Sequence, residues 1–169
     1  IYSWLKVGVN SIPVLHELTL NVGLRSDVAL ASSTPVGLLR RGGQTPHDNL
    51  ITSTADYVAA LQIWLEKNMG AKTGFILIPS HHQMNAAYFK RYTDHLGVDA
   101  KTLDVSRPYR RLLQELGKRG VPVLGMEKPM KASKDFLSFP DDGHLNALGH
   151  DILAREAAGW LQKKFGIRP

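Results

Sequence analysis

The sequence predicts an α/β domain in which parallel strands are joined by crossover helices. Two short, continuous apolar runs, TGFILIP at 73–79 and VPVLGM at 121–126, have the composition of strands buried on both faces. The segments around them carry apolar side chains at helical spacing. Helices that alternate with all-apolar strands imply a layered, parallel arrangement. Two strands are few for a doubly wound sheet, so further strands are expected in the first fifty residues or in a preceding N-terminal piece.

Residues 1–24 carry apolar side chains at mixed spacing, interrupted by Gly8 and Pro13, and read as one or two short helices. The chain opens on Ile within an apolar pattern of Tyr2, Trp4, Leu5, Val7 and Val9, as expected of a piece of a longer chain. Residues 31–50, rich in Gly and Pro, read as a long loop of the kind that is often functional. Ser53, with Asp56 three residues on, resembles a capping box. After it Tyr57, Val58, Leu61, Trp64 and Leu65 form an apolar stripe that ends at Gly70. A second helix is predicted from about Met84 to Leu96, closed by Gly97. A third runs from a Ser106 cap through Pro108 in its first turn to Gly120. The last spans Ala147 to Phe165, with Leu148, Ile152, Leu153, Ala157, Trp160 and Leu161 facing a core.

The 169 residues fit one domain with its own core, and 43% apolar with 21% charged composition is ordinary for a globular protein. The formal charge of +6 raises the possibility of a polyanionic partner. Its basic residues are scattered in pairs such as Arg40-Arg41 and Lys163-Lys164, without a basic stripe or interleaved aromatics, so no nucleic-acid partner is expected. The chain has no cysteine, which excludes disulfide and thiolate chemistry and fits either side of a membrane. No apolar run reaches the roughly 18 residues that would span a bilayer.

Titratable groups are densest in FPDDGHLNALGHDILA, residues 139–154. Asp141-Asp142-Gly143-His144 falls just before the last helix, with Asn146 as its candidate cap. A carboxylate two or three positions before a histidine on a tight turn can accept the imidazole Nδ1 proton. Nε2 is then free to act as general base. Asp142, His144 and His150 with His81 and His82 could also supply metal ligands, but they lack a helical His-x-x-x-His spacing and any Cys. No metal and no cofactor is expected.

The block DDGHLNALGH followed by DILAREAAGWL resembles the C-terminal motif of the SGNH or GDSL hydrolases, whose bacterial members read Asp-Gly-His, one residue, Asn, two residues and Gly-His. FILIPSHHQMNAAYF is similar to a strand and loop of that family, and VSRPYRRLLQELGKRGVPVLGM to its penultimate helix and strand. The resemblance covers about residues 50–165. It implies a three-layer α/β/α, flavodoxin-like domain, of which this chain would be the C-terminal two thirds. It also implies a serine esterase or acyltransferase acting on an ester-bearing small molecule or an acetylated carbohydrate. By that motif His144 matches the catalytic base and Asp142 its orienting carboxylate, with Asp141 the alternative.

The family's Gly-Asp-Ser nucleophile motif does not occur after a strand in this sequence, so the Ser is expected on a missing N-terminal segment. Gly8-Val9-Asn10 echoes the family's Gly-x-Asn only superficially. Ser80, His81 and Gln83 follow the FILIP strand directly, at the carboxyl edge where α/β ligand sites lie, and are candidates to line a substrate pocket. Ser80 with His81 or His82 is a poorer nucleophile and base, because neighbours on an extended chain point to opposite faces. A different class of function remains beside the enzyme: a binding or assembly module that has lost its nucleophile.

Overall fold

The computed structural model describes residues 34–42, 48–139 and 143–167. The expected N-terminal helices, Gly8-Val9-Asn10, Asp141 and Asp142 lie outside the described residues. The elements are α1 (Thr34–Leu39), α2 (Asp48–Met69), β1 (Phe75–Leu77), α3 (His81–Met84), α4 (Ala86–Leu96), α5 (Arg107–Lys118), β2 (Val123–Gly125), α6 (Glu127–Lys131) and α7 (Ala147–Phe165). β1 and β2 pair in parallel, with Phe75 opposite Val123 and Leu77 opposite Gly125. The expected mixture of helices with a parallel sheet is observed, and two strands are the whole of it among the described residues.

Alternate strand residues feed different clusters. Phe75 and Val123 pack with Ala55 and Val58 of α2 and Leu112 and Leu116 of α5. Leu124 packs instead with Met126, Met130 of α6, and Ile152 and Leu153 of α7. The period of two along a strand sends neighbouring side chains to opposite faces. Ile76 and Ile78 are 39% and 43% exposed, which corrects the expectation that TGFILIP is buried on both faces. β1 has its only described neighbour on one side, so the rest of its apolar surface lacks cover from the described residues.

Helix ends follow local chemistry where a cap is available. Asn85 interrupts the predicted Met84–Leu96 helix: its side-chain oxygen accepts from the amides of Ala87 and Tyr88 and starts α4 afresh. Gly97 closes α4 in the left-handed conformation, φ 64°. Asn146 accepts from the Gly149 amide at 3.0 Å and begins α7, whose ends match the expected Ala147 and Phe165.

Elsewhere tertiary contacts override the local signal. Ser53 lies inside α2, which begins five residues earlier at Asp48, so it does not cap a helix. Asp48 is 5% exposed and Arg107 9%, and the Arg107 Nη2 stands 2.8 Å from Asp48 Oδ1 and 2.9 Å from Oδ2. The same guanidinium donates through Nη1 to the Leu38 carbonyl at 3.1 Å. Arg41 Nε donates to the Leu103 carbonyl at 2.7 Å. The stretch expected to be a long loop therefore contains α1, docked against the start of α5. Ser106 does stand at the head of α5, but its hydroxyl donates to Glu127 rather than capping the helix.

The helices are oriented by these pairs. Asp48 meets Arg107 at the starts of α2 and α5, and Asp56 meets Arg119 a few turns on, so α2 and α5 run parallel. α7 runs against the strands: a side chain at Gly74, just before β1, would collide with Trp160 and Phe165 near its end, while its start lies with the loop beyond β1. Among the described residues no helix is long and apolar enough to cross a membrane.

Two predictions follow from this packing. Asp48→Ala leaves the Arg107 charge buried without its carboxylate and should cost about 3–5 kcal/mol in urea denaturation; replacing both residues with apolar ones of similar size should cost less. Glu115 accepts hydrogen bonds from Lys118 and Arg119, which hold its carboxyl at about 2, below its ordinary value near 4.5. The unfolded chain then binds the proton more readily, so stability should fall as pH drops from about 4.5 toward 2. Glu115→Gln should flatten that part of a stability profile measured by denaturation.

Candidate functional site

The carboxyl end of the sheet is assembled by one hydroxyl. Tyr109, in the first turn of α5, donates to the Leu77 carbonyl at 2.9 Å and accepts from the Glu127 amide at 3.1 Å. It bridges the last residue of β1 and the residue that opens α6 after β2. Burial pushes its phenol above the usual range. With the Met126 amide donating to the Leu77 carbonyl at 3.0 Å, both strand ends are fixed in one place.

His144 sits beside this edge on a closed turn. The Phe139 amide donates to the His144 carbonyl at 2.8 Å, and Ser138 and Leu145 form an antiparallel bridge behind it. The Asn146 side-chain amide donates to the Phe136 carbonyl at 2.7 Å, and the Asn146 backbone amide to Leu137 at 3.0 Å. One residue thus caps α7 and ties the turn to its incoming strand. His144 itself is exposed. Its two candidate carboxylate partners, Asp141 and Asp142, lie outside the described residues. His150 is exposed on the first turn of α7.

A second imidazole lies against this turn. Gly143 has φ 72°, and a Cβ placed there would come within 2.5 Å of His81 Nδ1. The His81 ring is therefore packed on the Gly143 backbone, one residue from His144. Glycine is required twice over, by the left-handed conformation and by this close approach. The structure so joins the loop after β1 to the Asp-Gly-His block, an adjacency between residues 62 positions apart that no local pattern announces.

His81 and His82 do not diverge as neighbours on an extended chain would. They occupy the helical turn α3, and their ring centroids are 3.8 Å apart. His81 meets the edge of Tyr88, and His82 stands 4.8 Å from the Tyr92 ring. Burial, and then the neighbouring charge of His81, hold the His82 imidazole below the usual histidine range. Ser80 is exposed at the start of α3, where its amide donates to Gln83 Oε1 at 2.8 Å. Gln83 is half-buried, and its Nε2 has no hydrogen-bond partner among the described residues. Ser80, His82 and Gln83 line a cavity, as expected of the first and last; Tyr92 and Tyr109, which also line it, read in the sequence only as core.

Among the described residues no three His, Asp or Glu side chains converge to hold a metal ion. The arrangement offers one exposed imidazole on a rigid turn, a second that buttresses the turn, and a partly apolar recess next to both. No protein-family model, no curated protein and no solved structure matches the chain.

Gly143→Ala should destabilise the protein by about 1–3 kcal/mol in urea denaturation, the scale of one strained backbone position. His81→Ala in the same chain should recover the steric part and leave the conformational part. In an NMR titration the His82 ring should gain its proton at a lower pH than an ordinary histidine. His81→Ala should move that midpoint up without restoring it fully, since burial is the larger cause.

Proposed function

We propose that this chain is the histidine-bearing part of an SGNH-type serine esterase or acyltransferase, within a three-layer α/β/α, flavodoxin-like domain. The observation that carries the reading is the placement of His144: on a closed turn before the terminal helix, buttressed by a residue from the loop that follows β1. In open α/β sheets ligands are handled at the carboxyl ends of strands. Helices that contribute to core clusters on alternate strand positions are consistent with the layered domain.

In this reading a Ser from outside the sequence attacks the ester carbonyl, and His144 Nε2 takes its hydroxyl proton. The tetrahedral intermediate collapses, and the alcohol leaves with that proton. Water or an acceptor hydroxyl then attacks the acyl-enzyme, giving its proton to His144 and releasing the acyl group as acid or new ester. Asp142, or Asp141, accepts the Nδ1 proton and holds the ring in the productive tautomer. Neither metal nor organic cofactor takes part. Backbone donors near the nucleophile would carry the oxyanion. The substrate is an ester-linked acyl group, for which the resemblance suggests O-acetyl groups of a carbohydrate.

Two measurements on the natural gene product test this. A fluorophosphonate probe should label a single Ser, and His144→Ala should lower kcat on 4-nitrophenyl acetate by about 10³-fold or more, the scale seen when a triad base is removed. Absence of labelling together with unchanged hydrolysis in the variant would leave the nucleophile-free binding module as the better account.

A further inference from the structure

The recess beside His82 has a size and lining that bear on what the site accepts. One lobe, of about 310 Å³, lies between α1, the α3–α4 segment and the start of α5. A second, of about 350 Å³, adjoins it along α2, and both are bounded by Leu38, Ser80, Gln83, Pro108 and Tyr109. Each is on the scale of small-molecule pockets, roughly 300–1,000 Å³.

The first lobe is walled by Leu39, Phe89, Tyr92 and Val105, the second by Leu50, Ile51, Ile78 and Leu112. Polar groups are few, and several are already engaged. The Tyr109 hydroxyl is held between the Leu77 carbonyl and the Glu127 amide, and the Thr54 hydroxyl donates to the Leu50 carbonyl at 2.7 Å. Gln83 differs: its Oε1 is fixed by the Ser80 amide, while its Nε2 is buried with no acceptor among the described residues.

A sugar ring in such a recess would bury several hydroxyls without partners, which is costly. An acetyl group would leave most of the apolar wall uncovered and lose its dispersion contacts. A linear hydrocarbon chain with one carbonyl meets both requirements. We infer that the two lobes form an acyl-chain site, with the chain against the Leu, Phe and Tyr walls and the carbonyl end at the Ser80–Gln83 turn. There Gln83 offers its unused donor, and His81 reaches the Gly143 backbone beside His144. This deepens the esterase reading, on which its catalytic meaning rests, by replacing acetyl with a medium-length acyl group. Binding of the chain itself does not depend on that reading.

The test is calorimetric titration of the full-length protein with butanoate, hexanoate, octanoate and decanoate, with acetate and methyl glucoside as controls. Affinity should rise about threefold to fourfold per added methylene, the fold-change equivalent of about 0.8 kcal/mol per buried CH₂. Val105→Trp, which fills the first lobe, should weaken decanoate at least tenfold. A flat chain-length series in the wild-type protein overturns the inference with no variant needed, as does decanoate binding unaltered by a correctly folded Val105→Trp. A rising series with no fluorophosphonate labelling keeps the acyl site and sinks the esterase. Acetate-ester turnover with a flat series does the reverse.

Discussion

The buried ion pair between Asp48 and Arg107 is the constraint on which the rest of the arrangement depends. Two opposite charges at 5% and 9% exposure are tolerated only because each satisfies the other and because the guanidinium also reaches the Leu38 carbonyl. The pair aligns the starts of α2 and α5, and with them the apolar faces that cover Phe75 and Val123. It also draws α1 onto the head of α5. One desolvated contact therefore sets the position of three helices relative to a sheet too small to orient them by itself.

Two residues further along α5, Tyr109 converts that positioning into a functional edge. Its hydroxyl holds the end of β1 and the start of α6 together. The loop after β1 is thereby delivered to the turn before α7, where the His81 ring rests on Gly143. The exposed His144 and the apolar recess beneath His82 are consequences of the same convergence. Polar chemistry gathers on one side of α3 and apolar surface on the other, which suits a ligand with a reactive head and a hydrocarbon tail.

Several parts of this were legible in the sequence because their causes are local. The last helix begins at Asn146 because an Asn side chain satisfies an orphan amide, and ends at Gly166 because glycine adopts the left-handed conformation there at no steric cost. VPVLGM and TGFILIP declare their strands through continuous apolar character, although only three residues of each pair. Ser53 and Ser106 carried equally plausible cap signals and neither caps. In one case the Asp48 ion pair starts the helix earlier, and in the other Glu127 takes the hydroxyl.

By itself the sequence determined the alternation of helices and parallel strands, the boundaries of α7, and the concentration of acid and imidazole groups before it. Those features follow from periodicity, caps and composition, which act over a few residues. Only the tertiary structure decided that α1 exists within a Gly- and Pro-rich stretch, that the His81 ring lies on Gly143, and that the Phe89–Tyr92 face of α4 walls a cavity. Each depends on contacts between residues far apart in the chain, whose partners are chosen by burial and charge compensation rather than by their neighbours in sequence.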